Sequence, residues 1–393
     1  MLGEFPFDHM EYVFLMQLIK RLYQPGDEID INKLYKLITK RNRSMEEYRW
    51  EWIDTWKGQG SMWLAFDEDR EKDDQLVMQY SLIPTPFSVW GESYLAGKTE
   101  NCMSHPDLRG KGLYFPHEQQ SFEEAKKRFQ IFFTTAGDVA KGAAGAVRRK
   151  LGYVAFDSWA YYVFLINKDY LNNLLFSRLK NFRRIPLFIS RTLSAALSTL
   201  FSYYFKMHFP PKPVGDFRVF GKNDAPMQEI EDLWEQNKTY YGITVDRKSR
   251  YLKWRINQNP YFDYVYVLNY KENRLVGYAI ISLNHNNAFL IEDILAEKSD
   301  MSIFDEIISY LIWYAKDAGV AAVSCGTLEG NAILKSIFAR NKFVDVEAFR
   351  SRITRKERSK EFHVFFSPEI KCKQNPLDPQ NWYITNLVSE GRS

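Results

Sequence analysis

The spacing of apolar and polar positions along the chain predicts the same set of elements twice. A helix near Ile31–Lys40 has a counterpart near Gln228–Lys238. Strand-like runs follow at Ser61–Phe66 and Leu76–Leu82, matched by Tyr264–Tyr270 and Leu275–Leu283. Each half then continues with a strand, a long helix (Phe115–Lys127; Ile303–Ala318), a strand (Ile131–Thr134; Ala321–Cys325), a helix and a final strand. Strands joined through helices cross over between parallel neighbours, so the expected class is mixed α/β. Beyond the second set, His363–Phe366 and Trp382–Asn386 read as further strands separated by a proline-containing loop.

The residues themselves repeat. EEAKKRFQIFFTTAG leading to RRKLGYVAF in the first half matches WYAKDAGVAAVSCGT leading to ARNKFVDV in the second. Ala125 and Ala315 are 190 positions apart, as are Gly152 and Lys342. EYRWEWI at Glu47–Ile53 and RYLKWRI at Arg250–Ile256 are offset by 203, so inserted residues separate the two matched blocks. A repeat this long is a domain and not a solenoid unit. The expected organisation is an N-terminal helical extension (1–24), a first domain (25–169), a connector (170–215), a second domain (216–370) and a tail with a strand (371–393).

The connector has its own pattern. From Pro186, a good first helical residue, apolar positions fall at Ile189, Leu193, Ala196, Leu197, Leu200 and Tyr204. They form one helical stripe, with Ser190, Ser194, Ser198 and Ser202 opposite. The segment holds seven basic residues (Arg178, Lys180, Arg183, Arg184, Arg191, Lys206, Lys212) and no Asp or Glu. Two roles fit: a linker helix whose apolar stripe packs on the domains, or a helix lying on an anionic membrane surface through residues 183–206.

Composition narrows the classes. With 393 residues, 45% hydrophobic and 26% charged, the chain is globular and of two-domain size. The 53 Lys+Arg against 49 Asp+Glu leave +4, too little for a dedicated nucleic-acid binder. Cys102, Cys325 and Cys372 are odd in number and far apart, which excludes a disulfide framework and a cysteine zinc site and fits a reducing cytosol. Glu4, Asp8 and Glu11 interrupt the apolar N-terminal residues, so no targeting signal is expected, and no run of 18 apolar residues offers a membrane span. The expected location is cytoplasmic, with the connector as a point of peripheral membrane contact.

The residues with the clearest chemistry are Ser104–Phe115, SHPDLRGKGLYF. A strand-like stretch, Thr99–Ser104, runs into Arg109-Gly110-Lys111-Gly112-Leu113-Tyr114, and a helix starts at once. Glycines let a ligand approach the backbone, and free N–H groups at a helix start attract an anion. Arg109 and Lys111 add positive charge there.

This run resembles the acyl-CoA pyrophosphate loop of the GNAT superfamily of N-acetyltransferases, Arg/Gln-x-x-Gly-x-Gly/Ala. Arg109 and Gly112 match the pattern, and His105-Pro106-Asp107 matches the residues that commonly precede it. Tyr114 stands where Gly or Ala is usual. Arg149-Lys150-Leu151-Gly152-Tyr153 is similar to the family's closing helix and turn. The resemblance covers 31–167 and, through the duplication, 217–354 more loosely. It implies two tandem GNAT-type domains, each a mixed central sheet flanked by helices, with acetyl-CoA as acyl donor. It further implies that the backbone of Cys102, Met103 and Ser104 pairs with the pantetheine arm. The amides of Arg109, Gly110, Lys111, Gly112, Leu113 and Tyr114 would bind the pyrophosphate. The second half reads LAEKSDMSIFDE (Leu295–Glu306) at the equivalent place, without glycine and with Asp300, Asp305 and Glu306, so one CoA site per chain is expected.

The family's usual acid, a Tyr on the last helix, is replaced by Arg148, and the Asn often found after the preceding strand by Ala136-Gly137-Asp138. Glu100 is the candidate base, acting through water, against a plain solvated or ion-paired carboxylate. His105 and His117 read as turn or surface residues, Cys102 as a small core residue, and Trp50, Trp52, Trp56, Trp63 and Trp90 as core or acceptor lining. The function implied is an acyl-CoA-dependent N-acyltransferase acting on a primary amine, such as an amino sugar or cell-surface glycan precursor. The alternatives are a non-catalytic CoA-binding sensor or scaffold, and an aminoacyl transferase of the peptidoglycan-peptide type, against which the glycine loop argues.

Overall fold

A computed structural model describes residues 18–137, 143–167, 187–354 and 360–389. Asp138, residues 168–169, residues 170–186 of the connector and most of the N-terminal extension lie outside them. The chain divides into two compact units.

In the first unit, β1 (Ile19–Leu22) pairs antiparallel with β2 (Ser61–Phe66), and β2 with β3 (Leu76–Val89). Between β1 and β2 lies α1 (Glu28–Thr39), which buries Ile31, Leu34 and Tyr35 at helical spacing. It carries Glu28 and Asp30 in its first turn, where the helix dipole favours acids. A four-residue helix, Met45–Tyr48, then widens into a π-helical turn, Arg49–Ile53. The second unit repeats this oddity at Ser249–Leu252 and Lys253–Asn257, in the matching RYLKWRI run. A π turn is rare enough that its recurrence is structural support for the duplication.

β4 (Glu92–Thr99) and β6 (Ile131–Gly137) are parallel, joined through β5 (Met103–Ser104) and α2 (Tyr114–Ala125). Their ladder runs from Ala96–Ile131 to Lys98–Phe133, and β6 continues to Gly137. Next comes α3 (Ala143–Lys150). Trp63, Tyr80, Phe122, Phe132 and Tyr153 form the core on the α2 side.

The last strand of each half is exchanged. β7 (Val154–Leu165) follows the first repeat, yet from Phe156 it belongs to the second unit. The neighbour of β6 in the first unit is the C-terminal strand Lys360–Phe366, of which His363 onward belongs to that unit. Its Phe365 ring meets Phe122 edge-on at 5.2 Å. The units therefore do not follow the boundaries at 169 and 370 that chain order suggests.

The second unit contains β7, α4 (Leu187–Met207), β8 (Asp216–Gly221), α5 (Met227–Asn237), β9 (Ile243–Val245), β10 (Tyr264–Lys271), β11 (Arg274–Leu283), β12 (Ala288–Ala296), α6 (Ser302–Asp317), β13 (Ala322–Leu328) and α7 (Ala332–Arg340). Strands β8, β10, β11 and β12 are antiparallel neighbours, β12 and β13 are parallel, and β7 closes antiparallel on β13. β7 buries Ala160 and the continuous run Tyr162–Leu165, the pattern of a strand covered on both faces.

Two expectations are corrected here. Trp382–Asn386 is no strand: a single bridge joins Trp382 to Ile243, and the chain then turns through a 3-10 helix at Asn386–Val388. The connector helix faces the other way from its sequence pattern. Ser194 and Ser198 are buried, while Ile189, Leu193, Ala196, Leu200 and Tyr204 are exposed. The serines donate to the carbonyls of Arg191 and Ala195, both at 2.9 Å, so burying them leaves no hydroxyl unsatisfied. Their small size admits close packing, anchored by Phe205 against Phe164 (4.8 Å) and Phe201 against Phe349 (5.4 Å).

Candidate active site

The sequence expected Thr99–Ser104 as one strand; the structure interrupts it. The Glu100 amide donates to the Ser81 carbonyl (3.1 Å), and Met103 pairs with Gln79. Asn101 and Cys102 therefore lie together opposite Tyr80, two residues against one, which is a β-bulge. Asn101 takes the left-handed conformation, φ 48°. Gln79 Oε1, Asn101 Nδ2 and Ser104 Oγ are buried around this bulge without a hydrogen-bond partner among the described residues. Buried polar atoms rarely stay unpaired, so these fit an amide-bearing ligand.

From the bulge the chain enters the glycine loop. The His105 amide donates to the Val77 carbonyl at 2.7 Å, and a 3-10 turn at Pro106–Leu108 follows. Gly110 (φ 79°) and Gly112 (φ 75°) are both left-handed, and a Cβ at either would meet nothing within 4 Å. The loop's backbone is thus open on its outer side. α2 begins with no side-chain cap and no acid in its first turn. Its leading N–H groups are the orphan donors that attract an anion. Arg109 and Lys111 are exposed beside them. Leu113 and Tyr114 turn inward onto Ala65, Val77, Met78 and Leu108. Tyr114, the departure from the family pattern, is thereby a packing residue whose hydroxyl lies 3.5 Å from the Gln79 carbonyl. These residues fit a pyrophosphate with its attached amide arm.

Residues 20–153 match the family model described as an acetyltransferase (GNAT) domain. This stretch is similar to a GNAT acetyltransferase domain. The fold of the whole chain is similar to a probable N-acyltransferase from Enterococcus faecalis, at 12% identity and TM-score 0.56, covering 88% of this chain and 73% of that one. It is also similar to a tandem GNAT protein from the clavulanic acid biosynthesis pathway, at 11% identity and TM-score 0.52, covering 90% of this chain and all of that one. A GCN5-related N-acetyltransferase from Anabaena variabilis aligns at 9% identity and TM-score 0.56, over 89% and 73%. No curated protein sequence matches. The fold of the chain is thus that of a tandem GNAT protein, and GNAT enzymes use acetyl-CoA or another acyl-CoA.

Arg148, on α3, is buried and ion-paired with the fully buried Glu118 of α2. Its Nη2 lies 3.2 Å from Cys102 Sγ at the bulge. Burial opposes the Arg148 charge, but Cys102 and the hydroxyls of Tyr153, Tyr114 and Tyr80 more than offset it, and its pKa is raised. Burial likewise raises the pKa values of Tyr80, Tyr114 and Tyr153. This charged cluster was not legible in sequence beyond the bare presence of Arg148, because Glu118 reaches it only through the packing of α2 beside α3.

Glu100 forms an ion pair with Lys98 at 2.9 Å, with both side chains largely buried. His105 and His117 are buried, not surface residues. His105 accepts from the Asp107 amide (3.3 Å) and so shapes the loop's entry. His117 lies under the first turns of α2 with Nε2 3.3 Å from the Trp63 carbonyl. Burial, and then the charge of Lys20, push its pKa down to about 4. Trp50, Trp52 and Trp63 are buried, which places them in the core.

The second GNAT-like unit has filled both of its corresponding places. At the start of α6 the Asp300 carboxylate accepts from the Ser302 amide (2.9 Å) and pairs with Lys271 (3.2 Å). The helix start thus carries its own anion. Beyond the last β12–β13 pair, Ile291–Cys325, lies the C-terminal segment. Asn386 Nδ2 donates to the Ile291 carbonyl (3.0 Å), Thr385 Oγ1 to Asp293 (2.8 Å), and Thr327 Oγ1 to the Ile384 carbonyl. Trp382–Val388 is buried throughout. Gly326 and Gly330 make room for it: a Cβ at Gly326 would come within 2.7 Å of Asn386 Oδ1, and one at Gly330 would strike Pro379.

Proposed function

We propose that the first unit moves an acetyl or similar acyl group from acyl-CoA to a primary amine, with one acyl-CoA bound per chain. The observation that carries this is the continuity of the bulge, with its unpartnered polar atoms, and the loop with two left-handed glycines at an uncapped helix start. Of the expected amides Arg109–Tyr114, those of Arg109 and Lys111 already donate to the Pro106 and Leu108 carbonyls (3.1 and 3.3 Å). The amides of Gly110, Gly112, Leu113 and Tyr114 and the Arg109 charge therefore hold the pyrophosphate, and the backbone of Cys102, Met103 and Ser104 holds the pantetheine arm.

Acyl transfer from a thioester requires a deprotonated amine and a partner for the charge left on sulfur. The buried tyrosines are poor acids for that purpose, because their raised pKa values lie far above the ~8.5 of an ordinary thiol. Arg148 supplies fixed positive charge instead, held in place by Glu118, and its guanidinium already faces a sulfur atom at the bulge. Glu100 is proposed as the base, through water; its ion pair with Lys98 makes it a weak one. The proposed acceptor class is an amino sugar or a glycan precursor bearing a primary amine.

The test combines calorimetry with acetyl-CoA and a free-thiol release assay over a panel of amines. Arg109→Ala should weaken binding about tenfold or more, as expected for loss of a charge-assisted contact. Absence of binding by the wild type overturns the proposal. Binding without turnover of any amine favours a CoA-binding sensor or scaffold, a reading that Arg148 in place of a proton donor keeps in view.

A further inference from the structure

Among the described residues, nothing in the packing of the second unit covers the outward face of α4. Ile189, Leu193, Ala196, Leu200, Tyr203 and Met207 follow at alternating steps of four and three, forming one apolar stripe along the helix. All six are exposed, and Leu200, Tyr203 and Met207 keep 65%, 64% and 67% of their surface in solvent. Phe188, at the helix start, keeps 70%. Near its C-terminal end the stripe borders a hollow of about 390 Å³ lined by Leu200, Phe201, Tyr203, Met207 and Val344. A continuous apolar face turned to water marks a binding surface. The inversion that produces it comes from the cheap burial of Ser194 and Ser198 on the opposite side.

Charge decides what covers it. Alternating four–three spacing also suits a partner helix, and a second copy of this chain would offer an identical one. That helix, however, belongs to a segment (170–215) with seven basic residues and no acidic one. Two copies would set the like charges of this segment together, with no carboxylate in either segment to meet them. An anionic surface meets both needs. Lys206 lies at the flank of the stripe, Lys212 follows the helix, and Arg183 and Arg184 precede it in sequence. No helix among the described residues is long and apolar enough to cross a membrane, so the arrangement is one that lies on a bilayer.

The geometry points to α4 as a peripheral membrane helix that lays Leu193, Leu200, Tyr203 and Met207 into the interface of an anionic bilayer, with Lys206 and Lys212 at the headgroups. This inference is independent of the acyl-transfer chemistry.

The test is flotation of the full chain with vesicles of phosphatidylcholine alone and with about one third phosphatidylglycerol. The wild type should float with the anionic vesicles only and detach as salt rises. The variant Leu200→Glu with Met207→Glu should bind at least about tenfold more weakly, and Lys206→Ala with Lys212→Ala about twenty-five-fold, near fivefold per charge. These side chains are exposed, so thermal unfolding and acetyl-CoA binding of both variants should match the wild type. No flotation of the wild type, or equal flotation of the glutamate variant, overturns the inference. So does a dimer in light scattering that the glutamate variant abolishes while the wild type ignores vesicles, because that outcome assigns the face to a second copy.

Discussion

Gly112→Ala separates the folding role of the glycine loop from its binding role. At φ 75° a non-glycine residue is strained by about 1–2 kcal/mol. Loss of chain freedom in the unfolded state returns about 0.4–1 kcal/mol, leaving a net cost of about 1 kcal/mol. Nothing lies within 4 Å of the added Cβ, so no steric term adds to that figure. For a unit of this size about 1 kcal/mol lowers Tm by about 2–4 °C. The same empty space is where a pyrophosphate must approach the amides of Gly112–Tyr114, and a methyl group there keeps it at a distance. Acetyl-CoA affinity should therefore fall by more than the tenfold that about 1.4 kcal/mol represents. Scanning calorimetry gives the first quantity and titration calorimetry the second. Gly110→Ala, with the same φ sign and the same open surroundings, should behave alike. A Tm lowered as expected with unchanged acetyl-CoA affinity would refute the reasoning, since the open side of the loop would then face no ligand.

His117 makes the first unit acid-sensitive. Its folded pKa of about 4 lies below the unfolded value of ~6.5, so the unfolded chain binds the proton first. Stability is therefore lost as pH falls through that window, by about 2 kcal/mol between pH 7 and pH 5. His117→Gln should remove that share of the loss in urea unfolding at the two pH values; equal losses in both proteins would show that His117 does not titrate there. Arg148→Met strands Glu118 in the core and should cost about 3–5 kcal/mol, whereas Arg148→Met with Glu118→Leu should recover most of it. If Arg148 meets charge on the leaving sulfur, that recovered double variant should still show kcat at least tenfold down with KM little changed; an unaffected kcat makes the pair purely structural. Titration calorimetry should find one acetyl-CoA per chain, because Asp300 and Trp382–Val388 fill the corresponding places of the second unit; two per chain would overturn that. Gly330→Ala, which forces a Cβ onto Pro379, should destabilise the second unit by about 1–3 kcal/mol and leave acetyl-CoA affinity intact.

What was legible in the sequence is what depends on a residue's own backbone and near neighbours. The glycines at 110 and 112 declare a left-handed loop, because little else is comfortable at those φ values. The paired RWEWI and KWRIN turns, π-helical in both units, show that the duplication was real down to an unusual local geometry. What was not legible depends on partners distant in the chain. The Arg148–Glu118 pair joins two helices 30 positions apart, and nothing local to either residue announces it. The exchange of β7 for Lys360–Phe366 is invisible to a repeat-based reading, since either strand satisfies the apolar pattern of a final strand in either unit.

The connector helix shows why a pattern of hydrophobicity can be read correctly and its direction still be missed. The stripe at Ile189, Leu193, Ala196 and Leu200 is real, and an amphipathic helix normally turns such a stripe inward. That rule presumes that the other face is expensive to bury. Here it is not: each buried serine bonds a carbonyl of its own helix, and Phe201 and Phe205 on the same side supply the apolar contact. Once both faces can be buried, local contacts no longer fix which one is, and the choice passes to whatever else the helix must meet. A basic segment without a single carboxylate, presenting the more apolar of its two faces outward, is what a lipid surface would select. It is not what packing within one water-exposed unit would select.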